Sequence, residues 1–440
     1  MRTLSITIYK NFLLGVIFCL PLMTLGQSKK LQKSYNWKYE VSKDVDLSLN
    51  NYDCDIDILT WDNPTVELVL HVTATGSDVD DARELDEYLK NLTFHNSPNK
   101  VDVDLKFWSQ RTSRMNKTKL DLKSGDNISL TEFQISGEMK IPSGTNLDLS
   151  SKYSIIELAD ILGRLNLELY NDKLYGNNVG ANTTIEAKYC TLEFGTMKDV
   201  KAELYNTDME LEDLGSMTLN SKYSKVFGKN AMNMDIESYN DKFIFETTGN
   251  VSYSAKYSSF QAKKSGLLTA DSYNCTVIIN DVDDIKITSK YSKFEFINGR
   301  NCTVSSSYND GFKTSTLNKL NITGSKYGSY RIGELGESLD IIEGYSDKFV
   351  IPRTGPNFKG IKLNSKYCKI TLGISDNLAY KLKANVKYPN FSFNEEVFKT
   401  KIKIKESSNL EYEGVKGTEA PGMSIFDIKG YQVSFTVEYY

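Results

Sequence analysis

Apolar residues recur two positions apart on either side of a short polar motif, and this frame repeats thirteen times between Ser151 and Leu372. The motif opens with a residue that is usually small, defined as position 0, and continues as Lys-Tyr-Ser or Tyr-Asn-Asp. Consecutive positions 0 lie 18, 18, 17, 17, 17, 17, 17, 17, 18, 18, 19 and 21 residues apart. A period this short is typical of stacked supersecondary units and not of a globular core.

Two columns of the frame predict the interior of the stack. Position 5 is apolar or aromatic in every copy from Ile156 to Ile370. Position −2 forms the second column, which runs from Leu149 to Leu363 and includes Ser305, Thr323 and Ile342 in late copies. Alternation at positions −4, −2 and 0, and again at 5 and 7, predicts half-buried strands. Since an odd step separates 0 from 5, the chain must bend at the motif. Each rung is therefore predicted as strand, corner, strand and a return loop rich in Gly, Asn and Asp.

The rung length decides the architecture. Seventeen residues are too few for a strand plus a crossover helix, which excludes a βα repeat. Rungs of this kind stack at roughly 4.8 Å, and right-handed winding is the default. We predict an all-β, single-chain parallel β-solenoid (β-helix) of about 13–15 rungs of about 17–18 residues. A small α+β cap module is predicted at its N-terminus and a β cap at its C-terminus.

The chain divides into four predicted segments. Residues 1–26 are a signal peptide, 27–146 hold a first rung plus the α+β cap module, 147–378 are the repeat array, and 379–440 are the C-terminal β cap. Within the last segment, residues 426–437 fit the frame once more and predict a terminal rung.

The second segment contains several predicted elements. Residues 47–58 match the frame of the array and predict a rung upstream of it. Strands are predicted over 66–73 and 101–107 from their apolar pattern. Ser77 is predicted to cap a helix over 78–90, which has acidic residues in its first turn.

The N-terminal segment predicts export. Arg2 and Lys10 precede an apolar run over 12–20, and Thr24-Leu25-Gly26 fit a cleavage site after Gly26. The apolar run is shorter than the roughly 20 residues that a membrane span needs, and the mature chain is predicted to have no transmembrane helix. The predicted location is the periplasm, the outer-membrane surface or the extracellular space.

Cysteine spacing argues against a disulfide framework, and the charge balance argues against a nucleic-acid-binding protein. Cys190, Cys275 and Cys368 share position 3 but lie five rungs apart. This is far beyond the roughly 7 Å Cα reach of a disulfide, so we predict unpaired corner residues. The chain has 53 basic and 57 acidic residues, a net charge of −4, and the two signs are interleaved. This balance gives no support for binding nucleic acid.

The order of motifs resembles a known group of proteins. The rung at 47–58, the following Thr60-Trp61-Asp62 with the strand after it, the helix and the repeated Asn/Ser-x-Tyr turns are similar to bacterial putative-adhesin families whose domains are β-solenoids. Such domains form the heads of autotransporter-like adhesins. Turns resembling Tyr-Gly-Asp are common in those families, whereas this chain uses Tyr-Ser and Tyr-Asn-Asp. The resemblance covers nearly the whole mature chain and implies an exported protein, but it supplies no catalytic residues.

The residue types give little support for catalysis. His71 and His95 are the two histidines of the chain, which excludes a histidine-based triad or a His-ligated metal cluster in the array. Acids at position 3 are candidate carboxylates for a polysaccharide-cleaving enzyme or for calcium, but they recur regularly, whereas a catalytic pair would break the pattern locally. These acids are Asp172, Asp241, Asp310 and Asp347. We predict no catalytic, cofactor-binding or metal-binding residue.

Position 1 supplies a candidate binding stripe. Lysine and tyrosine alternate there, and regularly spaced aromatic faces with cations suit a glycan or another cell-surface polymer. The stripe consists of Lys152, Tyr170, Lys188, Tyr205, Lys222, Tyr239, Lys256, Tyr273, Lys290 and Tyr308. A structural role without a ligand is the alternative, because each tyrosine separates two ammonium groups and offers them cation–π contact.

These features predict an exported, non-enzymatic β-solenoid that acts as an adhesin or envelope scaffold and binds an extended polymer or a surface partner. The prediction rests on the export signal and on an array whose corner motifs show no catalytic discontinuity. The alternative is a carbohydrate-active β-helix enzyme, either a polysaccharide lyase or a hydrolase, with its acids on one exposed sheet.

Overall fold

The computed structural model describes residues 29–115 and 117–440, so the predicted signal peptide at 1–26 lies outside the described residues. The predicted fold is confirmed: the chain is all-β and forms a parallel β-solenoid of about 13 turns. The described residues contain one α-helix, α1 (Val79–Asn91), and a 3₁₀ helix at Glu395–Val397. Neither of these has the length and apolar character that a membrane-spanning helix requires.

All strands belong to one hydrogen-bonded sheet that winds along the rod. Before the array lie β1 (Lys30–Glu40), β2 (Asp46–Tyr52), β3 (Asp55–Trp61), β4 (Thr65–Gly76), β5 (His95–Ser97), β6 (Lys100–Asp104), β7 (Trp108–Arg114), β8 (Lys117–Leu122) and β9 (Asn127–Pro142). The array consists of β10 (Asn146–Lys152), β11 (Ile155–Leu158), β12 (Leu165–Tyr170), β13 (Lys173–Gly176), β14 (Thr183–Lys188), β15 (Thr191–Phe194), β16 (Met197–Tyr205), β17 (Asp208–Lys222), β18 (Lys225–Tyr239), β19 (Lys242–Lys256), β20 (Ser259–Tyr273), β21 (Thr276–Lys290), β22 (Lys293–Tyr308), β23 (Gly311–Ile322), β24 (Ser325–Lys326), β25 (Ser329–Tyr345), β26 (Lys348–Ile351), β27 (Arg353–Thr354), β28 (Gly360–Lys366) and β29 (Lys369–Ile374). The C-terminal strands are β30 (Tyr380–Lys387), β31 (Asn390–Ser392), β32 (Phe398–Glu406), β33 (Asn409–Lys416), β34 (Ser424–Tyr431) and β35 (Ser434–Tyr439).

Consecutive copies of the corner motif stack directly on one another. Lys152 pairs with Tyr170, Tyr170 pairs with Lys188, and this parallel register continues from rung to rung. Every position 5 side chain from Ile156 to Ile370 is buried. The alignment on position 0 is therefore confirmed, and position 5 forms a continuous apolar column along the rod.

In the middle of the array, each rung is one continuous strand from corner to corner. β17 to β21 are each 15 residues long and pair with the next rung over nearly their whole length. In β21 the buried side chains include Val277, Ile279, Val282 and Ile285, so the return segment also contributes to the interior. The predicted return loop is wrong for these rungs. It holds for early rungs, such as residues 177–182 between β13 and β14.

Three consecutive late rungs carry an extra residue before the corner. The register between β21 and β22 shifts between Ile287 and Thr288, and the compensating shift lies between β25 and β28. Such a β-bulge inserts a residue that reverses the inward and outward positions before it. The prediction that Ser305, Thr323 and Ile342 face the interior is therefore wrong. The buried residues are their predecessors Val304, Ile322 and Ile341.

Residues 47–58 form a rung upstream of the array, as predicted. β2 pairs with β10 and β3 pairs with β11 in the register of the array. Outside this rung lie β6, parallel to β2, and β9, parallel to β3. β9 also belongs to an antiparallel group with β4 and β1, so the sheet edge at the N-terminal end of the rod is covered.

The α-helix begins one residue later than predicted, because Asp78 and not Ser77 is its N-cap. The Asp78 carboxylate accepts a hydrogen bond from the Asp81 backbone N–H at 3.0 Å, and the Asp81 carboxylate accepts one from the Asp78 N–H at 3.1 Å. This is a capping box. The other Asp81 oxygen accepts from the N–H of Ser129 at 2.9 Å, which fixes the start of the helix on β9.

The C-terminal strands stack out of sequence order. β34 and β35 lie between two earlier segments: they pair with β28 and β29 on one side and with β30 and β31 on the other. Residues 426–437 do form a rung, but the prediction that it is terminal is wrong, because β30 and β31 lie outside it. β33 pairs antiparallel with β30 and with β32, and this hairpin belongs to the C-terminal end of the rod.

Candidate binding site at the tyrosine and lysine corner

The predicted stripe forms one column on the outside of the corner. All ten residues from Lys152 to Tyr308 are exposed, and each is the direct register neighbour of the next. The column continues through Lys326, Tyr345 and Lys366 to Tyr431. The structure thus brings the predicted residues together, while their role in binding stays a prediction.

A left-handed residue at position 2 makes the bend. In all thirteen copies φ lies between 49° and 64°, and the residue is Tyr seven times, Asn five times and Ser once. Asn adopts this conformation readily, whereas for most residues it costs roughly 1–2 kcal/mol. The position 2 N–H donates to the position 1 carbonyl of the next rung, as from Tyr153 to Tyr170 at 3.1 Å. The backbone ladder therefore continues through the corner without glycine.

The tyrosines of consecutive rungs form one ladder along the corner. The position 2 ring of one rung packs edge-to-face on the position 1 ring of the next, with centroids 5.3–5.7 Å apart throughout the array. The ladder extends to Tyr52 at one end and to Tyr431 and Tyr388 at the other. This contact was not predicted, because the two tyrosines belong to separate columns of the repeat. The signal was present, since every corner has one tyrosine, at position 1 or at position 2.

The position 1 lysines lie beside this ladder. Predicted cation–π contact occurs at Lys152, whose Nζ lies 5.9 Å from the Tyr170 ring centroid. Among the described residues, the other six position 1 lysines of the array make neither such a contact nor an ion pair with a carboxylate. Cation–π contact is therefore wrong as a general explanation of the alternation. The position 1 tyrosine between two successive lysines already packs against two other tyrosines.

A second set of lysines flanks the ladder at position 4. One of them, Lys225, pairs with Asp208 at 2.9 Å. The set consists of Lys173, Lys225, Lys242, Lys293, Lys348 and Lys369. The corner edge is consequently rich in positive charge although the whole chain carries −4.

The position 3 acids face the interior and do not line an exposed sheet. The Asp172 carboxylate accepts hydrogen bonds from the backbone N–H of Ser154 at 2.7 Å and of Tyr170 at 2.9 Å. Asp241, Asp310 and Asp347 make the equivalent pair of backbone bonds. Burial raises the pKa of Asp172 to about 6 and raises the pKa of Asp241 and of Asp347. As candidate carboxylates for a polymer substrate these four are wrong, because their oxygens hold the corner backbone.

The surface that follows the corner carries a groove of about 1030 Å³. Half-buried Phe227, Ile244 and Ile278 line it, and exposed Glu193 and Glu210 are register neighbours at one end. Lysines in the groove are paired with acids, as Lys263 is with Glu246 at 2.9 Å. This groove was not predicted, because position 6 has no fixed residue type along the repeat.

The remaining candidate groups are structural. His71 Nδ1 lies 2.8 Å from the Ser34 hydroxyl, and His95 lies 3.3 Å from Asp102. Residues 29–115 and 117–440 contain no cluster of three or more His, Cys, Asp or Glu that could hold a metal ion. The cysteines of the described chain are unpaired and buried, which confirms the prediction for Cys190, Cys275 and Cys368.

Comparison with known proteins identifies neither a family nor a function for the chain. No protein-family model matches the chain, and no curated protein matches it. A structure of a putative cell adhesion protein from Clostridium sporogenes aligns with 93% of this chain and 100% of its own length, at 10% identity and a TM-score of 0.16. A putative lipid binding protein from Parabacteroides distasonis aligns with 68% of this chain and 95% of its own, at 11% identity and a TM-score of 0.21. At these TM-scores neither carries an argument about function.

Proposed function

We propose that the protein is exported and acts, without catalysis, as an adhesin or envelope scaffold that binds an extended polymer along the corner column. The observation that carries this proposal is the stack of exposed tyrosines beside lysines that lack carboxylate partners in the described chain. Aromatic rings and free ammonium groups suit sugars and their anionic substituents. Repetition along the rod lets many weak contacts act on one chain of ligand.

Export is supported by the sequence of residues 1–26, with its basic start, its apolar run over 12–20 and its cleavage-like end. The predicted location is the periplasm, the outer-membrane surface or the extracellular space. Cell fractionation of the producing strain tests this part separately. Recovery of an uncleaved chain in the cytoplasm would contradict it.

The binding part is tested with the purified protein and a panel of immobilised acidic and neutral polysaccharides. Replacing the seven position 1 lysines of the array by Gln should weaken binding at least about tenfold, because free charges at the contact surface are lost. A matched variant replaces seven lysines of other columns and should bind like the wild type. The control set is Lys198, Lys201, Lys229, Lys263, Lys264, Lys286 and Lys362.

Cells provide the second test. A strain whose protein lacks the array should attach more weakly to its surface or show a weakened envelope. Unchanged attachment together with unchanged envelope integrity would count against both the adhesin and the scaffold versions.

A carbohydrate-active enzyme is the second candidate, and the groove after the corner favours it. Glu193 and Glu210 are neighbouring exposed carboxylates, and two acids beside a groove are the equipment of glycoside hydrolysis. Product release from a polysaccharide by the purified protein, and its loss in Glu193→Gln and Glu210→Gln, would promote this candidate. Intact polymer after prolonged incubation would leave the non-catalytic function in place.

A further inference from the structure

The register shifts between neighbouring rungs of the array cluster in its late rungs. β22, the β23–β24 rung and β25 each carry the extra residue before the corner, and regular register returns at β28. Bulges concentrate next to functional sites because they redirect side chains and open the surface. Because the three bulges match, these rungs stay in register with one another, and the same irregular backbone continues across all three.

A depression of about 640 Å³ lies on the surface beside these bulges. Its floor contains small residues just before the corner, Ser306 and Gly324, where regular rungs often have an acid such as Glu186 or Glu203. Because acidic side chains are missing at these two positions, the depression is open, and the charge of the neighbouring lysines is less neutralised.

Three lysines of the corner column border the depression. Lys290, Lys326 and Lys366 lie two rungs apart, a spacing of roughly 10 Å, with Tyr308 and Tyr345 between them. All three are exposed, and none forms an ion pair within the described chain. Glu343 is the acid in the lining, so the local charge is positive.

We propose that this bulged depression is a binding site for an extended acidic glycan, with its acid groups on the three lysines and its sugar rings against the two tyrosines. The proposal rests on the polymer-binding function proposed above and names its ligand class and its principal site. Ammonium groups about 10 Å apart suit a chain with one acid group per disaccharide. Single-stranded nucleic acid has a phosphate at every nucleotide, a closer spacing that fits the lysine column less well.

The test uses the purified full-length chain and four immobilised probes: hyaluronate, which has one carboxylate per disaccharide, κ-carrageenan, which has one sulfate per disaccharide, uncharged dextran, and single-stranded oligo-dT. Binding to hyaluronate or κ-carrageenan should exceed binding to dextran and to oligo-dT, and it should weaken as salt is added. The first two probes distinguish carboxylate from sulfate as the acid group. Tightest binding to oligo-dT, or equal binding to dextran, would overturn the proposal.

Two pairs of variants localise the site. Lys290, Lys326 and Lys366→Gln together should weaken acidic-glycan binding about tenfold, whereas the same change at Lys152, Lys188 and Lys222 in regular rungs should change it less than about threefold. The second pair, Gly324→Trp and its control Ser254→Trp, leaves the charge unchanged. Gly324→Trp should fill the depression and weaken acidic-glycan binding by about as much as the three lysine changes.

Gly324 tolerates a side chain, because a Cβ there meets only a carbonyl oxygen at 3.7 Å. Its control is Ser254→Trp, at the same position of a regular rung. If the control variants lose as much affinity as the bulge variants, or the bulge variants bind like the wild type, this site is wrong while the polymer-binding function stands. If the wild type binds no polymer, both fail.

Discussion

At the corner, tyrosine and asparagine adopt the same backbone conformation at different intrinsic cost. Asn tolerates the left-handed region, whereas Tyr257, with φ of 58°, costs roughly 1–2 kcal/mol there. The seven tyrosines at position 2 are retained because each ring contacts a neighbouring rung. At the buried Asp172, hydrogen bonds favour the charged carboxylate, but burial opposes the charge more strongly and raises the pKa.

The buried Asp172 should make stability depend on pH. Its pKa is about 6 in the folded protein and 3.8 ordinarily, so the folded state binds more protons between these values. The stabilisation of the folded state by this proton uptake is therefore fully present at low pH, and it is lost as the pH rises from about 4 to 6. The free energy of unfolding of the wild type, measured relative to that of Asp172→Ser, should fall by up to about 3 kcal/mol across this pH range.

Serine is a reasonable replacement because Ser154 and Ser224 occupy the same position in other rungs. Urea unfolding of both proteins at pH 4 and at pH 7 gives the two differences in free energy. A difference that does not change with pH would show that Asp172 does not take up a proton on folding.

The interior assignment is tested at Phe294, which is 1% exposed and stacks between Val277 and Phe312. Phe294→Asp removes a large apolar side chain and buries a charge, so the free energy of unfolding should fall by at least about 4 kcal/mol. Lys293→Asp, at the exposed neighbouring position, should cost less than about 1 kcal/mol. Wild-type melting of Phe294→Asp would mean that inside and outside are reversed.

At the scale of the element, the rung length and the apolar columns were sufficient to predict a parallel solenoid and its register. The bulges were not predicted, because a one-residue insertion leaves the corner motif intact and changes only the side chains before it. In the sequence, the bulged region differs from the regular rungs only by longer distances between consecutive positions 0, of 18, 19 and 21 residues. Ser305, Thr323 and Ile342 were consequently assigned to the wrong face.

The tyrosine ladder was missed for a different reason. Position 1 and position 2 belong to different sequence columns, and they meet only because position 2 is left-handed. The depression beside the bulges has the same origin: it follows from backbone irregularity, which an alternating pattern does not encode.

The ladder should contribute measurably to stability. Tyr257 contacts Tyr239 and Tyr273 with centroids 5.6 and 5.5 Å apart, and each aromatic pair is worth about 0.5–1.5 kcal/mol. Tyr257→Ala should therefore lower the free energy of unfolding by about 1–3 kcal/mol. Tyr257→Phe keeps the ring and should be nearly neutral, and Tyr257→Asn should lose less than Ala because it tolerates the bend. Equal stability of all four proteins would show that the ring contacts carry no net energy.

At the scale of the whole molecule, the array is built by nearest-neighbour stacking, but the C-terminal end is not. β34 and β35 enter between a rung completed earlier and the last rung, so this end closes only after the chain has passed it and returned. A local pattern shows that residues 426–437 form a rung but does not show where in the stack it lies. That order is fixed by long-range pairing.

Removal of residues 424–440 should therefore detach the end of the rod. Without β34, the strands β28 and β30 face each other across two rung spacings, roughly 10 Å, which is too far for hydrogen bonds. Residues 379–423 should lose protection, and limited proteolysis within them should be at least about tenfold faster than in the full chain, because only the antiparallel pairing among β30, β33 and β32 remains and none of these strands is paired to the rod. The array itself should keep its melting behaviour, since its rungs contact only their neighbours.

The gap left by that truncation is also a template with two unpaired edges of defined register. A peptide of residues 424–440 added in trans should insert between β28 and β30, restore protease resistance and suppress association of the truncated chains through their exposed edges. A scrambled peptide of the same composition should do neither, because it cannot place Phe426 and Ile428 inward. If the truncated protein resists protease like the full chain and ignores the peptide, the out-of-order stacking is wrong.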